Sequence, residues 1–442
     1  MSPIDSFDQL EATFHAGSKP REQWKVGVEF EKAVVSAATG ESVPYQGPAG
    51  IAALLGSLAD SPRWQPVYED DNVIALLGDG ASITLEPGGQ LELSGRLWSS
   101  LGEADKEIQE HLDESISAAE GLGLRLLGLG AVPKTPIGQM PWMPKQRYRI
   151  MRTVMENSGR LGHRMMQQTA TVQSNFDYSD ETDARKKFRL AMAMAPVLFA
   201  VSANSPIIDG RASGYRSFRA HIWNQTDTDR CGVLEFAFNT ENIFGRYADY
   251  ALDVPMYFIS RDNLLLATGG LSFRSFMAKG FDGHHATLED WSLHLSTLFP
   301  EARLKTWLEV RSADNQPAEL LLATPALMKG LLYESDCLDA AWDIVGRWSF
   351  AQRLEAAEGA ARSALQARVD GHALAEYARE LCEIAREGLR RQAAGDGDEG
   401  RYLDPLLELV EAGRCPADEI LDQWQGPWRE SPDKLIQYAA YQ

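Results

Sequence analysis

The sequence predicts an α+β protein that carries its chemistry on a sheet and has a helical C-terminal region. Several segments up to residue 311 alternate polar and apolar side chains with a period of two, which is typical of strands. The stretch after about residue 318 is rich in Ala, Leu, Glu and Arg, which favours helices. Hydrophobic residues make up 44% and charged residues 24% of the 442 residues, a composition that supports a full globular core.

The first part of the chain alternates between helices and strands. Residues 5–15 predict a helix with its cap near the start, and residues 24–36 predict a strand because apolar residues occupy every second position. Residues 49–58 and 101–122 predict two further helices. Between these helices, residues 67–95 have the pattern of a hairpin.

The second part predicts a long helix over residues 179–203, followed by a loop-rich section over 205–290. The apolar run 190–203 is too short to span a membrane and contains Pro196, so we expect a buried helix and no membrane partner. Residues 304–311 predict one more strand. The remainder is helical, interrupted by an acidic loop over residues 395–400.

The charge balance limits the classes of partner. There are 63 acidic residues against 43 Lys and Arg, which gives a net charge of −20. Such a chain repels phosphate backbones, and no basic stripe interleaved with aromatic residues occurs, so we expect no nucleic-acid partner. A local cationic site for a small anion remains compatible with this charge.

The cysteines and the first residues predict a reducing compartment. Cys231, Cys337, Cys382 and Cys415 are scattered without the spacing of a metal site or a disulfide framework, so we expect free thiols. The N-terminal segment lacks the basic start and apolar core of a signal peptide. Together these features predict a cytoplasmic protein.

Four period-two segments carry carboxylates, amides and guanidinium groups on one face. Side chains two residues apart on a strand project to the same side, so each segment presents its polar groups together. The segments contribute the following residues: Glu29 and Glu31; Gln90 and Glu92, with Glu86 just before the bend Pro87-Gly88-Gly89; Gln173 and Asn175; and Arg303, Lys305, Glu309 and Arg311.

If the four segments belong to one sheet, their polar faces form one site. So many carboxylates cannot all stay ionised without a cation, and oxygen-only ligands favour Mg²⁺ or Mn²⁺. Neighbouring guanidinium groups suit a polyphosphate or a carboxylate, and the combination indicates phosphoryl transfer. The alternative is that each strand is half-solvated and its charges face water. No Walker A sequence occurs, so a nucleotide would have to be bound by the sheet.

The chain resembles the plant and proteobacterial type of glutamate–cysteine ligase. The resemblance runs in order from about residue 20 to 335, and more loosely beyond. It is carried by GVEFEK (27–32), LEPGGQLELSG (85–95), MPKQRYRIM (143–151), TVQSNFD (171–177), ANSP (203–206), RAHIWNQTDTDRCG (219–232), YALDVPMYF (250–258) and FPEARLKTWLEVRSAD (299–314).

The resemblance implies a fold similar to glutamine synthetase, with a curved, mostly antiparallel sheet and helices behind it. It also implies ATP as co-substrate with Mg²⁺ (or Mn²⁺), and a reaction in which the γ-carboxylate of glutamate becomes an acyl phosphate that the amine of cysteine displaces. The expected partners are therefore small molecules, and we expect a monomer or homodimer. Residues 1–335 would form the catalytic region, and residues 336–442 a helical region packed on it as one structural unit.

The roles that the resemblance implies follow the matched positions. Glu29, Glu31, Glu86, Glu92 and Glu309 would bind metal, while Gln90, Gln173 and Asn175 would surround the metal and phosphates. Arg311, and also Arg303 and Lys305, would contact the transferring phosphate as catalytic residues. Arg219, Trp223, Gln168 and Arg230 would bind substrate, although Arg230 also fits an ion-paired loop arginine.

Two departures from the family pattern leave the acceptor open. Gln168 stands where the family has Arg, and Glu235 stands where it has Pro. A site that gains or loses a charge selects a different partner, so another amine or amino acid is an alternative acceptor to cysteine. An inactive regulatory or binding homologue is a further alternative, although the five candidate metal carboxylates are all present. A glycosidase with paired carboxylates would explain neither the basic row at residues 303–311 nor the family segments.

Overall fold

The computed structural model describes residues 3–393 and 397–442. Part of the acidic loop predicted over residues 395–400 therefore lies outside the described residues. The strands are β1 (Val26–Ser36), β2 (Gln65–Glu69), β3 (Asn72–Leu77), β4 (Ser82–Leu85), β5 (Leu91–Trp98), β6 (Leu124–Leu127), β7 (Thr171–Phe176), β8 (Ile207–Ile208), β9 (Arg211–Ala212), β10 (Cys231–Gly232), β11 (Phe258–Arg261), β12 (Leu264–Ala267), β13 (Phe299–Pro300), β14 (Ala302–Leu304), β15 (Leu308–Asp314), β16 (Arg368–Val369) and β17 (His372–Ala373).

The α-helices include the predicted ones and six further helices between residues 146 and 295 that were not predicted. They are α1 (Asp8–His15), α2 (Ile51–Ala59), α3 (Leu101–Gly121), α4 (Gln146–Met155), α5 (Gly162–Gln168), α6 (Glu181–Val201), α7 (Phe218–Asn224), α8 (Ile243–Asp253), α9 (Phe273–Lys279), α10 (Leu288–Leu295), α11 (Ala323–Leu332), α12 (Ser335–Val345), α13 (Phe350–Ser363), α14 (Leu374–Gln392), α15 (Asp404–Glu411), α16 (Pro416–Gln425) and α17 (Pro432–Ala439).

One large antiparallel sheet organises the fold. Its strand order is β14-β15-β7-β1-β5-β4-β3-β2, with β6 paired to the far end of β1. Every pairing in this sheet is antiparallel. The predicted α+β class, with a mostly antiparallel sheet and a helical region after it, is confirmed. Strand β1 lies between β5 and β7, so the carboxylates of the first predicted strand lie near the middle of the sheet.

The two faces of β1 explain why the sheet has a polar and an apolar side. Phe30 and Val28 are buried, and Phe30 packs edge-on against His111 of α3. Helices α2 and α3 contact β1, β3, β5 and β6, while α6 contacts β14 and β15. Helix α6 contains Pro196 and is buried along most of its length, as predicted for the apolar run. Since helices cover the apolar face, the polar groups two residues apart are left for the other face.

The predicted strand over residues 304–311 is wrong in one respect, because it is a hairpin of two strands. Strand β14 ends at Leu304, and the amide of Lys305 donates to the carbonyl of Trp307 at 2.8 Å, which turns the chain into β15. Antiparallel pairing then sets Arg303 directly opposite Glu309. Short strands on either side of a tight turn keep the same alternation, so periodicity alone does not reveal the reversal.

The section predicted to be loop-rich, residues 205–290, contains the short helices α7 to α10 as well as loops. After residue 318, α14 packs against α11 and α12, and α11 contacts β7 at the sheet. Near the end of the chain, Ala440 forms a bridge with Leu127 of β6. The division at residue 335 stays a prediction. Within the described ranges, no helix is both long and apolar enough to cross a membrane.

Candidate active site

A pocket of about 300 Å³ lies on the polar face of the large sheet. Strands β1, β5, β7, β14 and β15 contribute to it, and helices α4, α5 and α7 close it from the side. Among the residues that line it are Glu29, Glu31, Glu86, Gln90, Glu92, Gln173, Arg219, Trp223, Arg303, Lys305 and Arg311. The sheet thus brings most of the sequence-predicted site residues into one cavity.

The carboxylates collect at one end of the pocket, because the strand register sets them side by side. Glu31 of β1 lies opposite Glu92 of β5, and Glu29 is two residues away on the same face. Glu86 reaches this end from the bend before β5. That bend passes very close to α5, since a Cβ on Gly88 would lie 2.1 Å from the carbonyl oxygen of Gln167. A residue larger than glycine would push the bend, and Glu86 with it, away from the pocket.

Burial and mutual repulsion make this carboxylate end electrostatically unsatisfied. Burial, together with Glu309 and Glu92, raises the pKa of Glu29 to about 7. Burial and the carboxylates of Glu86 and Glu92 raise the pKa of Glu31 well above its usual range. The pKa values of Glu86 and Glu92 are also raised, chiefly by burial. Protonation or an added cation would reduce the repulsion between these carboxylates.

Hydrogen bonds hold three of these carboxylates in place without neutralising them. Thr84 donates to Glu92 at 2.6 Å, the backbone amide of Thr171 donates to Glu31 at 3.1 Å, and the Asn175 amide donates to Glu29 at 2.6 Å. These donors are neutral, so the negative charge is positioned but not balanced. The remaining carboxylate oxygens stay available for a cation.

The carboxylate end fits a hard divalent ion by its donor set. Its ligand atoms are carboxylate and amide oxygens, which Mg²⁺ and Mn²⁺ prefer. The buried Oδ1 of Asn175 has no hydrogen-bond partner in the described structure, which leaves one more oxygen for an ion or its water. In residues 3–393 and 397–442, no three His, Cys, Asp or Glu side chains already surround one point closely enough to form a finished metal site. Ion binding would therefore draw the carboxylates together.

The other end of the pocket is cationic, because three basic side chains share one carboxylate. Arg303 donates to both oxygens of Glu309 at 2.7 and 3.0 Å, Lys305 lies 3.3 Å from the same carboxylate, and Arg311 also contacts it. Burial would raise the pKa of Glu309, but these three cations hold it well below its usual range. Glu309, expected as a metal ligand, lies here as the anion of a cationic cluster. Its role at a metal stays a prediction.

The amides expected around metal and phosphate lie at three different places. Gln173 lines the pocket and accepts from Arg311, while Asn175 binds Glu29 on the same strand. Gln90 also lines the pocket, but both of its polar atoms are used by the backbone, since it accepts from Gly88 at 3.0 Å and donates to Thr169 at 2.7 Å. Gln90 thus fixes the bend that carries Glu86.

Helix α7 brings Arg219 and Trp223 to the pocket wall. Ser217 caps this helix, and its hydroxyl donates to the buried Asp314 at 2.7 Å. Arg219 donates to the backbone carbonyls of Ser312 and Arg311 at 3.2 and 2.9 Å, which ties the helix to β15. The indole nitrogen of Trp223 is buried without a hydrogen-bond partner among the described residues.

Two residues expected to bind substrate do not line the pocket. Arg230 is 1% exposed and donates to Asp227, Thr297 and Pro255, so it is the ion-paired loop arginine of the alternative interpretation. Gln168 is fully buried, donates to Thr135 and accepts from Arg164. The direction of the chain at these positions, which sequence alone does not give, turns both side chains into the protein. Glu235 is exposed and also lies off the pocket.

Sequence reasoning missed the basic residues that face the carboxylate end. Lys145 and Arg147 line the pocket at the start of α4, together with Tyr148. Lys145 donates to the carbonyl of Leu85 at 2.9 Å, and its pKa is lowered by burial, although Glu86 opposes that effect. The matching segment MPKQRYRIM contains all three residues, so the signal was present but no role was attached to it.

Known proteins match almost the whole of this chain in sequence. The sequence model described as Glutamate-cysteine ligase family 2 (GCS2) matches residues 25–437. A chloroplastic glutamate–cysteine ligase of Nicotiana tabacum is 39% identical over 437 residues, which cover 98% of this chain and 83% of that relative. The chloroplastic glutamate–cysteine ligase B of Oryza sativa subsp. japonica is 38% identical and covers 98% of this chain and 87% of that relative.

A solved structure shares the fold at much lower sequence similarity. It is a glutamate–cysteine ligase of Francisella tularensis in complex with AMP, with a TM-score of 0.57 and 13% identity. The alignment covers 94% of this chain and 87% of that one. At this identity the likeness concerns the fold alone.

Proposed function

Because the chain belongs to glutamate–cysteine ligase family 2, we propose that it joins the γ-carboxylate of L-glutamate to the amine of L-cysteine with ATP. The product would be γ-glutamylcysteine, the first dipeptide of glutathione biosynthesis. The observation that carries the proposal is the charge of the pocket, in which four carboxylates collect at one end and Arg303, Lys305 and Arg311 at the other, with Lys145 and Arg147 facing the carboxylates. A magnesium–nucleotide complex and an anionic amino acid need these two environments side by side.

The carboxylate end would hold the divalent ion, with Glu29, Glu31, Glu86 and Glu92 as its ligands. When bound, Mg²⁺ would neutralise phosphate oxygens and stabilise charge on the transferring group. Tyr148 and Met151 of α4 and Met165 and Met166 of α5 line the same cavity and would limit the entry of water.

The cationic end would stabilise the phosphoryl group as it passes to glutamate. A γ-carboxylate oxygen attacks the γ-phosphorus of ATP, the bond to ADP breaks, and an acyl phosphate forms. Arg311 and Lys305 line the pocket and would donate to the equatorial oxygens of the transferring group, while Arg303 holds Glu309 beside them. The acceptor amine then forms the amide bond as phosphate leaves.

The alternative acceptor has lost its main support. Gln168 and Glu235, the departures that left the acceptor open, are not among the residues that line the main pocket, which weakens the argument for a different acceptor. The inactive homologue is also disfavoured, because the charged residues that the chemistry needs converge in one cavity. L-Cysteine is therefore the first acceptor to test.

A single assay tests the proposal. Purified protein with ATP, Mg²⁺, L-glutamate and each member of an acceptor panel should release phosphate and form a γ-glutamyl product, read by mass spectrometry. We expect the largest kcat/KM with L-cysteine. Product with another amine but none with L-cysteine would favour the alternative acceptor, and no product with any amine would favour the inactive homologue.

The oligomeric state and the compartment stay predictions. The sequence predicts a monomer or homodimer in the cytoplasm, whereas the plant relatives are named chloroplastic. Light scattering of the purified protein and fractionation of the source cells would decide the two points separately.

A further inference from the structure

Helix α7, which brings two side chains to the pocket wall, begins against one buried carboxylate. This is Asp314, the last residue of β15, which is 1% exposed. It accepts hydrogen bonds from the amide of Asn204 at 2.9 Å and from the hydroxyls of Ser205 and Ser217 at 2.6 and 2.7 Å. The carboxylate therefore joins β15, the segment after α6 and the start of α7.

The two serine hydroxyls connect this carboxylate to the first amides of α7. The hydroxyl oxygen of Ser205 accepts from the amide of Arg219 at 3.0 Å. The hydroxyl oxygen of Ser217 accepts from the amide of Ala220, also at 3.0 Å. A hydroxyl has a single proton, and both protons are donated to Asp314, which leaves the lone pairs of both oxygens directed at the helix. Since the first amides of a helix have no partner inside it, one carboxylate caps α7 through two hydroxyls.

The same carboxylate also compensates the charge of Arg219. Arg219 is 3% exposed, and burial lowers the pKa of its guanidinium, while Asp314 is the largest of the charges that oppose this effect. The guanidinium donates to two backbone carbonyls of β15, and its Nε has no hydrogen-bond partner in the described structure. A guanidinium has five N–H groups, so others remain for an anionic group in the pocket.

The backbone after β6 confines the carboxylate to one position. A Cβ on Gly130 would lie 2.5 Å from the Cγ and Oδ2 of Asp314. The amide of Gly130 donates to the carbonyl of Asn204 at 3.0 Å, and its carbonyl accepts from the amide of Ala170 at 2.9 Å. This segment is thus fixed on both sides, and α7 is aligned to a carboxylate that has no room to move toward it.

Strand β15 links this arrangement to the chemistry. It carries Arg311 three residues before Asp314. The strand that supplies a cation for phosphoryl transfer therefore also sets the position of α7, whose Arg219 and Trp223 line the pocket. A carboxylate held by Arg219 would then meet the transferring phosphate at a separation that one strand determines.

We propose that Asp314 is a positioning residue for the substrate, because it holds α7 so that Arg219 binds a carboxylate of L-glutamate beside Arg311. This inference rests on the proposed function, since it takes L-glutamate to be the ligand of Arg219. It adds a residue that does not line the pocket and acts through Ser205 and Ser217.

The variant Asp314→Asn tests the inference, because asparagine keeps the shape but replaces one carboxylate oxygen by a donor. One buried hydroxyl proton then loses its acceptor, and the cap of α7 is weakened. We expect KM for L-glutamate to rise about 10-fold or more, because the binding-competent position of α7 is less populated. KM for ATP should change less than about 2-fold, and kcat less than about 3-fold, because saturating substrate restores that position.

Tyr441→Phe is the matched control for a loss of stability alone. Tyr441 is 7% exposed, and in the described structure its hydroxyl bonds to Asn315 and Gln316, directly after Asp314, and not to α7. We expect this variant to be less stable than wild type, like Asp314→Asn, but to leave KM for L-glutamate within about 2-fold.

Ser217→Ala gives the same test in a milder form if Asp314→Asn does not fold. It keeps the carboxylate and removes one of the two capping hydroxyls. KM for L-glutamate should rise about 3-fold, again without a matching change for ATP.

Binding measured without turnover separates this inference from the proposed function. L-Glutamate is titrated by calorimetry with Mg²⁺ and a non-hydrolysable ATP analogue present. Asp314→Asn should bind it at least about 10-fold more weakly than wild type, and Tyr441→Phe should bind it like wild type.

Each outcome bears on one of the two hypotheses. Equal affinity of wild type and Asp314→Asn for L-glutamate, the same weakening in Tyr441→Phe, or an equal rise in KM for ATP would overturn the positioning role, even if γ-glutamylcysteine is formed. Weaker binding in Asp314→Asn alone, with no γ-glutamyl product from the wild-type protein, would overturn the proposed function and leave the positioning role standing.

Discussion

The two ends of the main pocket use the same kinds of charged residue in opposite ways. At the carboxylate end, Glu29 and Glu31 are held by neutral donors, and their pKa values are raised. At the cationic end, Glu309 is only 1% exposed, yet three cations surround it and its pKa is lowered. Burial alone therefore does not decide whether a carboxylate is protonated or ionised.

This difference shows what each end still requires. At the cationic end Glu309 is neutralised by the protein itself, because three basic side chains contact it. The carboxylate end keeps raised pKa values although Lys145 and Arg147 face it, so it retains a preference for a cation. Four changes test the contrast, in order of decreasing expected effect.

Replacing Arg311 by glutamine should have the largest effect on activity. We expect kcat to fall by about 10²–10³-fold, because a donor to the transferring group is lost. The measurement is phosphate release at saturating ATP, Mg²⁺, L-glutamate and L-cysteine. Arg390→Gln, on the exposed surface of α14, is the control. Comparable losses in both variants, or none in Arg311→Gln, would contradict the assignment of Arg311.

Replacing Glu309 by glutamine should destabilise the fold, because it leaves buried cations unpaired. We expect the free energy of unfolding to fall by about 3–5 kcal/mol. Urea denaturation of wild-type and variant protein at pH 7.5 measures it. An unchanged midpoint and slope would mean that the cationic cluster is not held by this carboxylate.

At the carboxylate end, an ionised side chain should lower the free energy of unfolding instead of raising it. Since the pKa of Glu29 is raised to about 7 in the folded protein, the folded state binds more protons than the unfolded state between pH 4.5 and 7. Without Mg²⁺, stability is therefore highest below pH 4.5 with respect to this group and is lost as the pH rises through 7. The loss should reach at most about 3 kcal/mol.

Glu29→Gln should remove this part of the pH dependence and stabilise the metal-free protein at pH 7.5. Mg²⁺ should raise the melting temperature of the wild-type protein at pH 7.5 more than at pH 5, read by calorimetry. A variant that is less stable than wild type at pH 7.5 would show that the repulsion at the carboxylate end has been misassigned.

The smallest effect is expected from Thr84→Val, which removes the 2.6 Å hydrogen bond to Glu92 and keeps the shape. A carboxylate that has lost its positioning donor binds metal less well, so the activation constant for Mg²⁺ should rise about 10-fold at most. Titration of activity with Mg²⁺ at fixed ATP measures it, and Thr39→Val, far from the pocket, is the control. A change in KM for L-glutamate alone would contradict a role at the metal.

Local patterns predicted the sheet and the contents of its polar face. The alternation in β1, β5 and β7 follows from the pleat, so the sequence alone indicates that Glu29, Glu31, Glu92 and Gln173 share a side. The reversal after Leu304 was missed, because a tight turn between two short strands preserves the alternation. The pairing of Arg303 with Glu309 depends on that reversal.

Residues outside the strands were harder to place. Arg230 lies within a matched segment and Gln168 just before one, but both side chains turn inward, where backbone carbonyls and nearby side chains satisfy them. Glu301 occurs in the matched segment FPEARLKTWLEVRSAD, and nothing in its sequence context shows that it is buried without an ion pair in the described structure. Its environment arises from Ser312, from β10 and from α7, which are far apart along the chain.

The order of strands in the sheet has a consequence for how the chain folds during its synthesis. Strand β7 pairs on one side with β1 and on the other with β15, whose residues follow β1 by more than half the chain. Such distant pairings make folding slow, because the entropy of closing a long loop is lost before the strands form their hydrogen bonds. On the ribosome, the carboxylate end can assemble before residues 308–314 have been synthesised, and the cationic end cannot. During that interval Glu29, Glu31, Glu86 and Glu92 would have Lys145 and Arg147 beside them but not yet Arg311.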